Sequence, residues 1–178
     1  QNKTKNWCGT DQYYKYLLKK DPSIALQRAK SVEKVKEYLK NASDEKKTKK
    51  VLRIIPTVVH IIHDDGSEKI STEQVRDGIR VMSEDYQRLN ADTTDTRALF
   101  LPYAANCEME FRLAQLDPSG NCTQGIVRVK DARTAHNFGD GIKSLSHWPE
   151  DKYFNIWLVR TIGGGSILGY GQFPGGNW

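Results

Sequence analysis

The run Arg53-Ile-Ile-Pro-Thr-Val-Val-His-Ile-Ile62 decides the fold of this chain. It is almost continuously apolar and rich in β-branched residues, which is typical of a central strand covered on both faces. Asp64-Asp-Gly66 then predicts a turn, and Ser71-Thr-Glu-Gln74 has the pattern of a helix capping box. Apolar residues follow at helical spacing: Val75, Ile79, Met82, Tyr86 and Leu89. This stretch predicts a strand and a helix that packs on the sheet.

Four further strands are expected downstream. Residues 108–114 alternate as a half-exposed strand, and 126–129 follow the turn Asp117-Pro-Ser-Gly-Asn121, so the two predict a hairpin. Residues 153–159 read as a buried strand, and 167–173 as a last, glycine-rich one. Strands with one intervening helix indicate an α/β (α+β) fold with a twisted mixed β-sheet and a backing helix.

The N-terminal region is predicted to be helical. A short helix is expected over residues 11–19, and Asp21-Pro22 is a good start for a second helix. That second helix carries one apolar stripe: Ile24, Val32, Val35 and Leu39. The polar stretch 41–50 breaks the pattern, which predicts two parts, residues 1–50 and residues 51–178.

Charge and hydropathy exclude several classes of partner. The chain has 178 residues and a net charge of +5, with lysines concentrated in residues 1–50. The lysine-rich stretch 44–50 has no aromatic residue among its lysines, so a solvated linker is favoured over a nucleic-acid site. The longest apolar run, 54–62, is far too short to span a membrane. We expect neither nucleic acid nor membrane as a partner. Gln1 in place of an initiator methionine favours a secreted, extracellular protein whose signal peptide has been removed.

The residues alone offer no catalytic constellation. His60 and His63 lie three apart on a strand and therefore on opposite faces, so joint binding of one metal is not expected. Structural or surface roles are favoured for both. His136 and His147 have no metal-ligand spacing around them. The sequence lacks a nucleophile elbow and a P-loop.

The chain has three cysteines, an odd number, which leaves at least one thiol unpaired. Cys107 and Cys122 would need an irregular hairpin to approach within the roughly 6 Å between Cα atoms that a disulfide requires. That pairing stays open from the sequence. Cys8 is the odd one out in either case.

Three groups of segments, taken in order, resemble one protein family. They comprise 55–62 with 84–90; 111–114 with 117–121 and 125–126; and 148–149 with 153–157 and 168–174. In order and spacing they resemble the pappalysin family of zinc metallopeptidases, which belongs to the metzincins. The resemblance covers nearly all of residues 54–174. It implies that residues 51–178 form the upper subdomain of a catalytic domain, a twisted sheet with a backing helix.

The resemblance also implies a substrate site. The segment from Leu168 to Phe173 is similar to the edge strand above the family's active-site cleft, where a peptide or protein substrate pairs by β-augmentation. The residues expected to bind substrate are Leu168, Gly169, Tyr170, Gly171 and Gln172. The glycines would permit close approach of the peptide backbone.

The zinc motif of the family, HExxHxxGxxH, does not occur in this sequence. The resemblance places it beyond Trp178, so no catalytic residue is expected in this chain, which should be inactive alone. Its partners would be peptide or protein substrates and the C-terminal remainder of the same protein. Zinc is the expected cofactor, and calcium is left open.

The resemblance gives Cys8 a role. Trp7-Cys8-Gly9-Thr10 lies where latent family members carry a prosegment cysteine, whose thiolate is a zinc ligand. Residues 1–50 would then be a prosegment, with activation cleavage near Lys49, Lys50 and Arg53. The interpretation is a latent secreted zinc metalloendopeptidase. The alternatives are a non-catalytic peptide-binding module and a prosegment-type inhibitor.

Overall fold

The computed structural model describes three stretches of the chain, residues 7–41, 51–139 and 141–173. The described residues divide into two compact units. The first contains 7–41, 135–139 and 161–173, and the second contains 51–134 and 141–160. The division into a prosegment and a catalytic subdomain at residue 50 concerns function and stays a prediction.

The described residues form three α-helices and six strands. The helices are α1 (Thr10–Lys20), α2 (Ser23–Asn41) and α3 (Thr72–Gln87). The strands are β1 (Arg53–His63), β2 (Met109–Leu113), β3 (Ile126–Lys130), β4 (Ala135–His136), β5 (Phe154–Leu158) and β6 (Thr161–Ile162). Short 3-10 helices lie at Ala91–Asp95, Leu101–Tyr103, Ala132–Thr134, Lys143–Leu145 and Gly163–Gly165.

Strand β1 is the centre of the second unit, as its apolar run predicts. It belongs to a four-stranded sheet and pairs with β2, β3 and β5. Residues on both of its faces are fully or almost fully buried: Val58, Val59, His60, Ile61 and Ile62. Because successive side chains point to opposite faces, this burial requires cover on both sides of the sheet.

Helix α3 forms the cover on one face of this sheet. Its N-terminus has the predicted capping box, in which Ser71 and Gln74 satisfy each other's backbone N–H groups. Val75 of the helix packs with Val59 and Ile61 of β1. Partly buried apolar residues surround this group: Ile70, Ile79, Leu113, Ile126, Ile156 and Leu158. The α/β architecture expected from the sequence is confirmed.

The strand directions differ from the expected mixed sheet. Every ladder of β1 is parallel: Arg53 lies beside Met109, and His63 lies beside Lys130. The predicted hairpin of β2 with β3 is therefore wrong, since the two strands pair with successive halves of β1. An antiparallel bridge between Leu116 and Cys122 closes the turn between the two strands. Alternating hydrophobicity predicted both strands but could not specify their pairing partner.

The first unit contains α1 and α2. Helix α1 covers the residues expected of it, and the Asp21 carboxylate accepts a hydrogen bond from the Ser23 N–H (2.9 Å), as an N-cap should. Ile24 at the start of α2 is buried. The rest of its predicted apolar stripe is exposed, namely Val32, Val35 and Leu39.

The glycine-rich region after β5 does not form the long strand predicted over residues 167–173. Two-residue strands β4 and β6 pair in parallel, and the chain then turns through three glycines with positive φ, at 56°, 66° and 84°. Beyond the turn, Ile167 and Gly169 each make an isolated bridge. The glycine turn favours this irregular course because left-handed backbone is open to glycine at little cost.

Candidate functional site

We refer to residues 168–173, which are predicted to bind substrate, as the acceptor segment. Its backbone is paired in parallel with the N-terminal residues of the same compact unit, through a bridge between Cys8 and Gly169. The Leu168 N–H donates to the Trp7 carbonyl at 3.0 Å, and the Gly9 N–H donates to the Gly169 carbonyl at 2.9 Å. The main-chain groups expected to hold a peptide therefore hold residues 7–9.

Thr10 extends this pairing by one side chain. Its hydroxyl oxygen Oγ1 accepts a hydrogen bond from the Gly171 N–H at 3.0 Å. The Cys8 Sγ lies 3.4 Å from the same oxygen. Thr10 is also the first residue of α1. One hydroxyl therefore connects the acceptor segment, the cysteine and the start of a helix.

Cys8 is exposed and has a lowered pKa. The hydrogen bond with the Thr10 hydroxyl is the largest cause, and the Thr10 backbone contributes in the same direction. The position just before the N-terminus of α1 has the same effect, because the helix dipole favours negative charge there. A thiolate is the form of cysteine that binds a metal. The surroundings of Cys8 therefore suit a thiolate that supplies one ligand to a metal ion.

A complete metal site is not present in the part of the chain that the structure describes. Within it, no three side chains of histidine, cysteine, aspartate or glutamate come together in a way that could hold a metal ion. Cys107 and Cys122 are exposed free thiols, so the disulfide left open by the sequence is not formed.

The five residues expected to bind substrate are consecutive, but they differ in exposure and in the contacts that they make. Leu168 exposes 70% of its surface, while Gly169 and Gly171 contribute backbone hydrogen bonds. Tyr170 packs among aromatic rings, 4.5 Å from Tyr13 between ring centroids. The side chain of Gln172 has its oxygen buried with no hydrogen-bond partner among the described residues.

The predicted cleavage residues fall in two places. Lys49 and Lys50 lie outside the described residues. Arg53 is the first residue of β1, beside Met109, and its backbone N–H donates to the Glu108 carbonyl at 2.8 Å. Its backbone is thus held in the sheet of the second unit.

Gly9, Gly169 and Gly171 differ in the space around their α-carbons. A Cβ on Gly9 would lie 2.8 Å from Phe138 and 3.0 Å from Ile167, closer than real contacts allow. Among the described residues, a Cβ on Gly169 would meet no atom within 4 Å, and one on Gly171 would meet Thr10 Oγ1 at 4.0 Å. Of these three glycines, Gly9 is therefore the one whose surroundings leave no room for a side chain.

The four histidines have different surroundings. His60 and His63 are both buried in β1, in keeping with the structural role given to them. His147 lies 3.0 Å from the Glu150 carboxylate. His136 belongs to β4, and its ring is 6.2 Å from that of Tyr170.

Sequence reasoning missed the aromatic contacts of the acceptor segment. Tyr13 is fully buried, with its ring 6.0 Å from that of Phe138. Arg28 of α2 lies over the rings of Tyr14 and Phe173. The sequence does show three tyrosines within α1, at positions 13, 14 and 16, but nothing in it indicates what they contact.

Comparison with known proteins gives three informative structures. No protein-family model matches the chain, and no curated protein matches it. Mirolysin in complex with compound 9 is 37% identical, with a TM-score of 0.64, over 70% of this chain and 47% of that one. Mature mirolysin of Tannerella forsythia in complex with a cleaved peptide is 32% identical, with a TM-score of 0.53, over 62% of this chain and 42% of that one.

The third structure is a zymogen. Tannerella forsythia promirolysin, mutant E225A, is 30% identical, with a TM-score of 0.68, and the match covers 94% of this chain. The chain is similar to a metallopeptidase zymogen. It spans about half the length of these structures, between 42% and 54% of each. None of the described helices is long and apolar enough to cross a membrane.

Proposed function

We propose that this chain is the N-terminal part of a latent, secreted zinc metalloendopeptidase of the pappalysin family. The observation that carries the proposal is the pairing of residues 7–9 with the acceptor segment. The likeness to promirolysin over 94% of the chain supports it. Residues 1–50 would be the prosegment, and the chain alone would not hydrolyse peptides.

Latency would arise because the backbone of the acceptor segment cannot pair with residues 7–10 and with a peptide substrate at the same time. The N–H groups of Leu168 and Gly171 and the carbonyl of Gly169 are engaged by residues 7–10. A peptide substrate binding by β-augmentation needs the same groups. Once residues 7–10 leave, Leu168, Gly169, Tyr170, Gly171 and Gln172 would bind the main chain of a peptide or protein substrate.

Cys8 would be the ligand that this chain supplies to zinc in the latent state. When bound, zinc supplies an activated water for attack on a peptide carbonyl, a task for ligands and a general base in the remainder of the protein. Cys8 would exclude that water by taking its place. Calcium stays an open second cofactor, for which the described residues offer no cluster.

Activation would require cleavage near Lys49, Lys50 and Arg53. The backbone of Arg53 is held by Glu108 and by pairing with β2. A protease needs extended, unpaired chain, so we place the cut on the N-terminal side of this strand, at Lys49 or Lys50.

The test uses the longer protein, with its C-terminal remainder. After cleavage within residues 42–50 and removal of residues 1–41, we expect hydrolysis of a peptide library, loss of that activity with a chelator and its return with zinc. A reading frame that stops directly after Trp178, or a cleaved protein without zinc-dependent hydrolysis, would contradict the proposal. Peptide binding without hydrolysis would favour the peptide-binding module.

A further inference from the structure

Tyr13 anchors α1 within the first unit. It is fully buried, and its ring centroid lies 4.5 Å from that of Tyr170 and 6.0 Å from that of Phe138. Phe138 and Tyr170 meet edge to face at 5.1 Å and 83°, so the two rings form one aromatic surface. Such ring pairs add stabilisation beyond the apolar area that they bury.

Arg28 anchors α2 to the end of the same segment. Its guanidinium carbon is 3.7 Å from the centroid of the Phe173 ring and 4.7 Å from that of Tyr14. Tyr14 and Phe173 themselves meet edge to face at 5.6 Å. The cation therefore lies over two rings, one from α1 and one from the acceptor segment, which is a stabilising arrangement for arginine.

The backbone contacts lie at the other end of the docked region. Gly9 packs against Phe138 and Ile167, and Thr10 binds the Gly171 N–H. The contacts of the N-terminal region thus extend from Trp7 to Arg28. All of these contacts are noncovalent.

We infer that residues 7–41 form a separable peptide ligand, which stays bound to residues 136–138 and 167–173 after the chain is cut within residues 42–50. Tyr13 and Arg28 are the side chains that hold it. A single activating cut would then leave the acceptor segment occupied, and its release would need a second cut within residues 7–41 or competition by another peptide.

This inference concerns association within the chain and does not require that the chain belong to a peptidase. A site for a sequence-specific protease is placed within residues 42–50 of the 178-residue chain, and the cut protein is examined by gel filtration and native mass spectrometry. We expect the two fragments to stay together at micromolar concentration. Separation of the wild-type fragments on cutting would overturn the inference.

Matched variants test which side chains hold the ligand. Tyr13→Ala should raise the dissociation constant of the cut fragments about 100-fold or more, whereas Tyr38→Ala, at an exposed tyrosine of α2, should leave it unchanged. Arg28→Gln should raise it about tenfold, whereas Lys36→Ala, at an exposed residue paired with Glu33, should not. Equal effects within either pair would contradict the assignment.

A third pair tests the steric fit. Gly9→Ala should weaken association about tenfold or more, because its Cβ would overlap Phe138 and Ile167. Gly78→Ala in α3 is the control, since its Cβ would meet no atom of the described residues within 4 Å. Circular dichroism of each uncut variant establishes that it folds. If Tyr13→Ala does not fold, the inference is tested by the dissociation constants of the Arg28→Gln and Gly9→Ala variants, each compared with its control.

Discussion

His60 is a fully buried histidine in the central strand of the second unit. Its Nε2 lies 2.9 Å from the side-chain oxygen of Asn155, which also accepts from the Trp148 N–H. The Asn155 amide group donates to the Trp148 carbonyl, which fixes its orientation. His60 must therefore carry its proton on Nε2, while its buried Nδ1 has no partner among the described residues. The ring stacks on Trp157 at 5.0 Å.

This environment predicts a loss of stability in mild acid. Burial lowers the pKa of His60, the Asn155 hydrogen bond partly opposes it, and His147 adds a smaller lowering. Because the unfolded chain takes up a proton at an ordinary pKa near 6.5 and the folded chain at a lower pH, this stability is complete above about pH 6.5. It should fall below that pH by up to about 1.4 kcal/mol per pH unit.

Urea denaturation at a series of pH values between 7.5 and about 5 measures this effect. His60→Phe, which keeps a ring beside Trp157, should flatten the dependence of the unfolding free energy on pH. An unchanged slope in the variant would assign the acid sensitivity to other groups.

At the scale of single residues, the sequence predicted roles better than contacts. His60 and His63 were expected to be structural because their spacing places them on opposite faces, and both are buried. Nothing in the sequence showed that Tyr13 would meet Tyr170, because residues so far apart along the chain share no local pattern. The neighbours of Gly9, Phe138 and Ile167, likewise emerged only from the fold.

At the scale of elements, Ser83 joins α3 to β2. It is buried, and its hydroxyl donates to the Phe111 carbonyl at 3.1 Å and accepts from the Phe111 N–H at 3.0 Å. Phe111 pairs with Ile55 of β1 on its other side. The serine thus satisfies backbone groups of β2 that the ladder with β1 leaves unused, which protects a strand edge.

Ser83→Ala should destabilise the chain by about 1–3 kcal/mol, because two buried backbone groups of Phe111 lose their partner. Chemical denaturation measures the change in unfolding free energy, with Ser119→Ala in an exposed turn as the control. A loss below about 0.5 kcal/mol would mean that water or a shift of α3 replaces the hydroxyl.

Elements with strong local signals were predicted well. The β-branched run of β1 and the capping box of α3 each specify their structure through neighbouring residues. Pairing partners were not predictable in the same way. Strands β2 and β3 were expected to pair with each other because a turn sequence lies between them, yet both pair with β1. Hydrophobic alternation defines the faces of a strand and leaves its neighbour undefined.

At the scale of the whole molecule, two observations bear on latency. The backbone of the acceptor segment is hydrogen-bonded to residues 7–10, and Cys8 lies within this paired stretch. The chain is similar to a metallopeptidase zymogen over most of its length. A thiol held beside the predicted substrate segment is what a cysteine-based latency mechanism requires.

X-ray absorption spectroscopy at the zinc edge, on the uncleaved longer protein, tests this account most directly. We predict one sulfur ligand at about 2.3 Å in the wild-type protein and its replacement by a nitrogen or oxygen ligand in Cys8→Ser. Bound zinc with the same ligands in both proteins, or an uncleaved protein that binds no zinc, would contradict it.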